Sequence, residues 1–305
     1  MGPRKFVAMA SAAVAAAAGL LVGAGAGAAQ ADPACPSLYV VAIPGTWETG
    51  VTPDKQAGGG MLADVTNRLR GADIRTDYVR YVATAFPWEG EMYGASKQQA
   101  TDFARGMLEA MQARCAGTRF GIIGYSQGAD AAGDLANEIG TGLSTIRPER
   151  IAGIGLLSDP KRSPTDALIG PSVPGAGAGG ARPGGFGWVS DRTVTFCAPG
   201  DLYCATESDD FVTRMAGFAA TNADPGSSDS PDYVPEAGVI LGDLAGAGGM
   251  PTLRGQLTER ANLERAADLA RFYGSGAHQN YQGYAVDAAG TTPTAWLAGW
   301  LREKA

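Results

Sequence analysis

The chain has 305 residues, of which 45% are hydrophobic and 18% are charged, so it can bury a core and is not disordered over its whole length. The formal net charge is −7 and the sequence contains no basic run. These features exclude a typical nucleic-acid binder, because neutralising phosphates needs clustered Lys and Arg. A single histidine, His278, excludes a multi-histidine metal site and leaves one imidazole for acid–base chemistry.

The first 31 residues have the pattern of a secretory signal. Arg4 and Lys5 precede an uncharged stretch rich in Ala and Gly, and the sequence Ala29-Gln30-Ala31 predicts cleavage before residue 32. The competing interpretation is a retained membrane anchor, although Ala and Gly contribute little free energy to membrane insertion. We therefore expect an exported protein, secreted or held in the cell envelope, with one domain over residues 32–305.

Beyond the signal, apolar segments of strand length alternate with segments of helical pattern. The predicted strands are 38–43, 76–83, 119–123, 151–157 and 193–196. The predicted helices are 61–70, 96–114, 127–139, 253–273 and 296–301. This alternation predicts an α/β domain of three layers, with a central parallel sheet and helices on both faces.

Two inserts interrupt the alternation, at about residues 163–187 and 205–277. Long inserts in a compact domain are often lids, binding loops or linkers. In the second insert, Phe211, Met215 and Phe218 form an apolar stripe at helical spacing. Two interpretations remain open: a hinged lid over an acyl-binding site, or a helix that docks on the core.

The four cysteines are expected to form disulfides, because the protein is expected to be exported. Three pairings are possible, and the natural choice joins Cys197 to Cys204 locally and Cys35 to Cys115 across the chain. The short bridge would shape a loop that contains Asp201. The cysteine spacings lack the CxxC pattern of a zinc site.

The segment Gly124-Tyr125-Ser126-Gln127-Gly128 fits the pattern G-x-S-x-G, in which a sharp strand-to-helix turn presents a serine. In so glycine-rich a chain about 0.3 matches are expected by chance, so the context of the match matters. The segment follows a predicted strand and precedes a predicted helix, as a nucleophile turn requires. The alternative is a glycine-rich packing turn.

A nucleophilic serine needs a base and an acid that orients the base. In hydrolases of this architecture the chain order is serine, acid, histidine, and Ser126, Asp201 and His278 occur in that order. Asp159, which follows the preceding predicted strand, is the nearest competing acid.

At these residues the chain resembles the cutinase family of serine esterases. The resemblance rests on the serine turn, on the aspartate-containing loop Cys197-Ala-Pro-Gly-Asp-Leu-Tyr-Cys204, and on His278-Gln-Asn-Tyr281. The tracts Pro44-Gly-Thr-Trp-Glu48 and Arg182-Pro-Gly-Gly-Phe-Gly187 look more narrowly like the envelope lipases and thioesterases of mycolic-acid-containing bacteria.

The resemblance implies an α/β-hydrolase fold and a role for each matched residue. Ser126 would be the nucleophile, His278 the general base and then acid, and Asp201 the residue that orients the imidazole. The backbone N–H groups of Thr46 and Gln127 would form the oxyanion hole, and the Thr46 hydroxyl would be a further donor. The resemblance implies the disulfide pairing chosen above and neither metal nor organic cofactor.

One departure concerns the histidine, because compact cutinases place it shortly after the second loop cysteine whereas residues 205–277 intervene here.

We predict a secreted, monomeric serine hydrolase that cleaves carboxylic esters of lipid, fatty-acyl or polyester type, with phospholipids and thioesters as further candidates. The alternatives are an acyltransferase to an envelope sugar or lipid acceptor and a non-enzymatic protein that binds envelope lipid.

Overall fold

The structure is a computed structural model that describes residues 35–52, 58–71, 73–222 and 233–305. The chain divides into two units, Met1–Asp32 and Pro33–Ala305, and every described residue belongs to the second unit. The predicted signal at residues 1–31 therefore lies outside the described residues. In the part of the chain that is described, no helix has both the length and the apolar character needed to span a membrane.

Within the described ranges, one parallel sheet has the strand order β2-β1-β3-β4-β5. Its strands are β1 (Leu38–Ile43), β2 (Ile74–Tyr78), β3 (Arg119–Tyr125), β4 (Ile151–Leu157) and β5 (Thr193–Phe196). The predicted strand at 76–83 was wrong at both ends. Tyr78 pairs with Ala42 near the end of β1, and β1 ends at Ile43, so the later residues have no strand to pair with.

Eight α-helices occur in the described residues: α1 (Ala63–Leu69), α2 (Tyr93–Arg114), α3 (Gln127–Thr141), α4 (Phe211–Thr221), α5 (Tyr233–Gly246), α6 (Met250–Gln256), α7 (Glu259–Ser275) and α8 (Pro293–Arg302). Alternate residues of β1 face opposite sides of the sheet. Tyr39, Val41 and Ile43 pack in one core with α2 and α3, whereas Leu38, Val40 and Ala42 pack in another with α1 and α8. The predicted three-layer α/β fold is therefore confirmed.

The described part of the second insert contains four helices, α4 to α7. The single helix predicted over 253–273 is broken, because α6 ends at Gln256 and Thr258 caps a new helix by accepting a hydrogen bond from the Ala261 N–H. The apolar stripe of α4 packs against α5, where Phe211 is buried with Ile240 and Leu244. The insert thus has a small core of its own.

Two disulfides join the pairs Cys35–Cys115 and Cys197–Cys204. The first connects the segment before β1 to the end of α2, at the amino ends of the strands. The second closes the loop that follows β5, at the carboxyl ends. In parallel α/β sheets, ligands bind at the carboxyl ends of the strands, so only the second bridge lies on that side.

Candidate active site

Ser126 occupies a sharp turn between β3 and α3. Its backbone has φ 54° and ψ −122°, a strained conformation for a residue with a side chain. A β-carbon at Gly124 would lie 2.2 Å from the Gly128 carbonyl oxygen, and one at Gly128 would lie 2.0 Å from the Ile43 carbonyl oxygen. Close backbone approach therefore requires glycine at both positions of the motif.

The structure brings Ser126, His278 and Asp201 together in a line of hydrogen bonds. His278 Nε2 lies 2.9 Å from Ser126 Oγ, and His278 Nδ1 lies 3.1 and 3.2 Å from the two carboxylate oxygens of Asp201. His278 stands in a short 3₁₀ turn directly after α7. Despite the long insert before it, the histidine lies at hydrogen-bonding distance from Ser126.

Asp201 is fully buried and its carboxylate is well supplied with donors. The Ser158 hydroxyl donates to Asp201 Oδ2 at 2.6 Å, the Tyr281 hydroxyl donates to the same oxygen at 2.7 Å, and the Tyr203 N–H donates to Oδ1 at 3.1 Å. Burial and the charge of Asp201 raise the pKa of Tyr281, so this hydroxyl stays protonated and remains a donor.

Aromatic rings surround the imidazole of His278. The ring centroids of Tyr203, Tyr125 and Phe272 lie 4.5, 5.2 and 6.3 Å from its own. The Tyr125 hydroxyl also donates to the His278 carbonyl oxygen at 2.8 Å, which holds the backbone of the histidine turn. Because Phe272 belongs to α7, the second insert contributes directly to this wall.

Asp159, the competing acid, takes part in a buried ion cluster instead. Its carboxylate accepts from Arg182 at 2.6 and 3.0 Å, and Arg182 also pairs with Asp130 and Asp134. Lys97 pairs with Asp134 at 2.7 Å. Arg182 thus ties the first insert to α3 and to the end of β4.

In the described residues, no group of three or more His, Cys, Asp or Glu is placed to hold a metal ion.

The loop after β1 carries Thr46 and is held by one carboxylate. Glu48 accepts the Gly45 N–H at 2.9 Å and the Met61 N–H at 2.8 Å. Burial raises the pKa of Glu48, and these two bonds partly offset that rise. The approach of Gly128 to the Ile43 carbonyl places this loop beside the first turn of α3.

Gln127 is the first residue of α3, so its backbone N–H belongs to the group at a helix start that has no partner within the helix. Its side chain is fully buried and held in place, donating to the Thr84 carbonyl at 2.9 Å and accepting from the Ser96 hydroxyl at 3.3 Å. The backbone N–H is therefore held rigidly beside Ser126, as an oxyanion donor must be.

A cavity of about 340 Å³ lies between the Cys197–Cys204 loop and α7. Its lining includes Gly200, Leu202 and Phe272, and neither Ser126 nor Thr46 lines it. Phe272 thus lines this cavity, and its ring centroid also lies 6.3 Å from that of His278.

Three residues of the site carried no assigned role in the sequence. Tyr281 and Glu48 belong to tracts that resemble the family, but nothing in their spacing reveals a contact with Asp201 or with the Thr46 loop. Ser158 directly follows β4, so its position at the carboxyl end of a strand beside β3 is a signal that could have identified it.

A family model described as cutinase matches residues 34–223 of the chain. The chain is 31% identical over 202 residues to the carboxylesterase Culp6 homolog of Corynebacterium glutamicum. The match covers 56% of this chain and 65% of that relative, so the chain spans less than two thirds of the relative's length. It is 29% identical over 205 residues to carboxylesterase Culp1 of Mycobacterium tuberculosis, covering 67% of this chain and 85% of the relative.

Among solved structures, lysin B from mycobacteriophage D29 is similar to this chain with a TM-score of 0.52 and 18% sequence identity. The likeness covers 88% of this chain and 98% of that protein. At this identity the likeness supports the fold alone.

Proposed function

The chain belongs to the cutinase family, and from this membership we propose that the protein is a serine hydrolase that cleaves carboxylic esters through an acyl-enzyme on Ser126. The observation that carries the proposal is the 2.9 Å contact between His278 Nε2 and Ser126 Oγ, with His278 Nδ1 against the buried Asp201. Relatives named carboxylesterases support the same reaction class.

In the acylation half, His278 Nε2 accepts the Ser126 hydroxyl proton while Oγ forms a bond to the ester carbonyl carbon. The carbonyl electron pair moves to its oxygen, where the N–H groups of Thr46 and Gln127 would stabilise the negative charge. When that pair returns, the bond to the alcohol oxygen breaks and the alcohol takes the proton from Nε2. Asp201 stabilises the imidazolium in between.

Deacylation repeats these steps with water. His278 Nε2 accepts a proton from water as the water oxygen bonds to the acyl carbon. The bond to Ser126 Oγ then breaks, Oγ regains the proton from Nε2, and the carboxylic acid leaves. No metal or organic cofactor takes part in any step.

For the substrate we propose a lipid or other fatty-acyl ester, met outside the cytoplasm by a monomer that is secreted or held in the cell envelope. The two disulfides support an extracytoplasmic location. We also propose that the 205–277 insert covers the acyl site as a lid. The contact of Phe272 with the imidazole supports this role, as do exposed apolar side chains on α7 at Leu263, Leu269 and Tyr273.

Labelling with a fluorophosphonate probe tests the reaction class. The wild-type protein should form one covalent adduct at Ser126, and Ser126→Ala should form none. An unlabelled wild type, or equal labelling of Ser126→Ala, would refute the proposal.

A series of p-nitrophenyl esters of increasing chain length tests the lid. Phe272→Ala should change the preference for long over short chains, whereas Glu264→Ala, at an exposed polar position on the same helix, should leave it unchanged. Identical chain-length profiles for both variants and the wild type would remove the lid from the proposal.

A further inference from the structure

Ser158 lies at the meeting point of Asp201 and His278, although it belongs to none of the motifs. It is fully buried. Its Oγ lies 2.6 Å from Asp201 Oδ2 and 3.0 Å from His278 Nδ1, which makes it as close to Nδ1 as either carboxylate oxygen is. A hydroxyl so placed must interact with both groups.

The hydroxyl proton of Ser158 has one possible destination. An ionised carboxylate only accepts hydrogen bonds, so the contact with Asp201 uses the single proton of Ser158. The oxygen can then act towards His278 Nδ1 only as an acceptor, which requires the imidazole proton to be on Nδ1. With Nδ1 protonated, Nε2 has a free lone pair directed at Ser126 Oγ.

Backbone hydrogen bonds fix the position of Ser158 relative to Ser126. The Ser126 N–H donates to the Leu157 carbonyl and the Ser158 N–H donates to the Phe196 carbonyl, both at 2.9 Å. These two bonds link the carboxyl end of β3 to that of β4, and the carboxyl end of β4 to that of β5. Ser158 has φ 57°, a left-handed conformation that is strained for serine. Strain of this kind persists where surrounding structure over-determines it, and it clusters at functional sites.

We propose that Ser158 is a positioning residue that holds the Asp201 carboxylate and keeps the His278 imidazole in the tautomer with its proton on Nδ1. This inference rests on the proposed function of Ser126 and His278 and adds a fourth side chain to the group formed by Ser126, His278 and Asp201. Ser158 contacts neither substrate nor the reacting atoms, and it acts through its two neighbours.

Kinetics on two variants provide the first part of the test. Ser158→Ala removes the hydroxyl and keeps the β-carbon, whereas Ser158→Gly removes the hydroxyl and also relieves the backbone strain. Both should lower kcat for a p-nitrophenyl ester roughly ten- to hundredfold, the effect of losing a hydrogen bond to a charged group. KM should change less than twofold. The control Ser190→Ala removes an exposed hydroxyl that donates to Gly187 and should keep the wild-type kcat.

The single histidine permits a direct second readout. In untagged protein labelled with ¹⁵N-histidine, one imidazole gives all the signals. At a pH where the ring is neutral, the wild-type spectrum should show Nδ1 protonated and Nε2 unprotonated. Both Ser158 variants should show an added population of the other tautomer or faster solvent exchange of the Nδ1 proton.

The outcomes separate this inference from the proposed function. Wild-type kcat in both Ser158 variants would overturn the role of Ser158 alone, as would a loss of kcat with an unchanged imidazole spectrum. If Ser158→Ala fails to fold, Ser158→Gly decides, because glycine adopts this φ without strain. A wild-type protein that the fluorophosphonate does not label would instead refute the proposed function, whatever the Ser158 variants show.

Discussion

His278 Nε2 lies 2.9 Å from Ser126 Oγ, and the chain contains no second histidine. No other imidazole can therefore take over the proton transfer. We predict that His278→Ala lowers kcat for ester hydrolysis by about 10⁴-fold or more, as loss of a triad base does elsewhere. Steady-state rates and fluorophosphonate labelling on the untagged protein measure the loss. A residual rate above a hundredth of wild type would contradict the assigned base.

Glu48 accepts hydrogen bonds from Gly45, next to Thr46, and from Met61, so its substitution should act on the proposed oxyanion hole. In Glu48→Gln the amide offers one accepting oxygen, and either the Gly45 or the Met61 N–H loses its partner. We expect kcat to fall about tenfold, with little change in KM, because transition-state stabilisation is affected most. Glu91→Gln, at an exposed position, is the matched control. Equal kcat in the two variants would exclude this role of Glu48.

Removing each of the two disulfides should affect stability and activity to different extents. In the chain-entropy treatment, loss of Cys35–Cys115 costs about 4.5 kcal/mol and loss of Cys197–Cys204 about 2.4 kcal/mol. Only the second loop carries Asp201, so replacing that pair with Ala should lower kcat more while it lowers the free energy of unfolding less. Denaturant unfolding and ester hydrolysis on both double variants measure the two effects. The opposite order in activity would contradict the assignment of Asp201.

Arg182 should be important for stability, because it is the buried cation shared by Asp130, Asp134 and Asp159. Arg182→Met leaves these carboxylates short of a partner, and we expect the free energy of unfolding to fall by about 3–5 kcal/mol. Arg260→Met breaks only an exposed pair on α7 and should cost under about 1 kcal/mol. Chemical denaturation measures both, and equal losses would show that the cluster is not stabilising.

Asp166 should make stability depend on pH. Burial raises the pKa of its carboxyl to about 6, whereas an unfolded aspartate titrates near about 4. The folded state thus binds the proton more tightly, so this contribution to stability is present below about pH 4 and is lost as the pH rises to about 6. Asp166→Asn should flatten that part of the curve, and the exposed Asp191→Asn should not. Parallel curves for Asp166→Asn and wild type would contradict the prediction.

Local patterns predicted the central part of the fold well. The strands 38–43, 151–157 and 193–196 have the predicted bounds. The first two are continuous apolar segments, as expected where a sheet is covered on both faces. The strand end near Tyr78 and the break between α6 and α7 were not predicted. The first depends on where a partner strand ends, and the second on a cap by Thr258 within an otherwise helical pattern.

The sequence by itself determined the chemistry available to this protein: one histidine, one serine in a turn that only flanking glycines permit, and an aspartate between two cysteines. These features are local. Residue types are read directly from the sequence, and the geometry of the turn depends on neighbours along the chain. Only the tertiary structure decided which acid faces the imidazole, because Asp159 and Asp201 follow adjacent strands and differ in their spatial partners. The positions of Ser158, Tyr281 and Glu48 were likewise decided by strand order and packing, which join residues far apart in sequence.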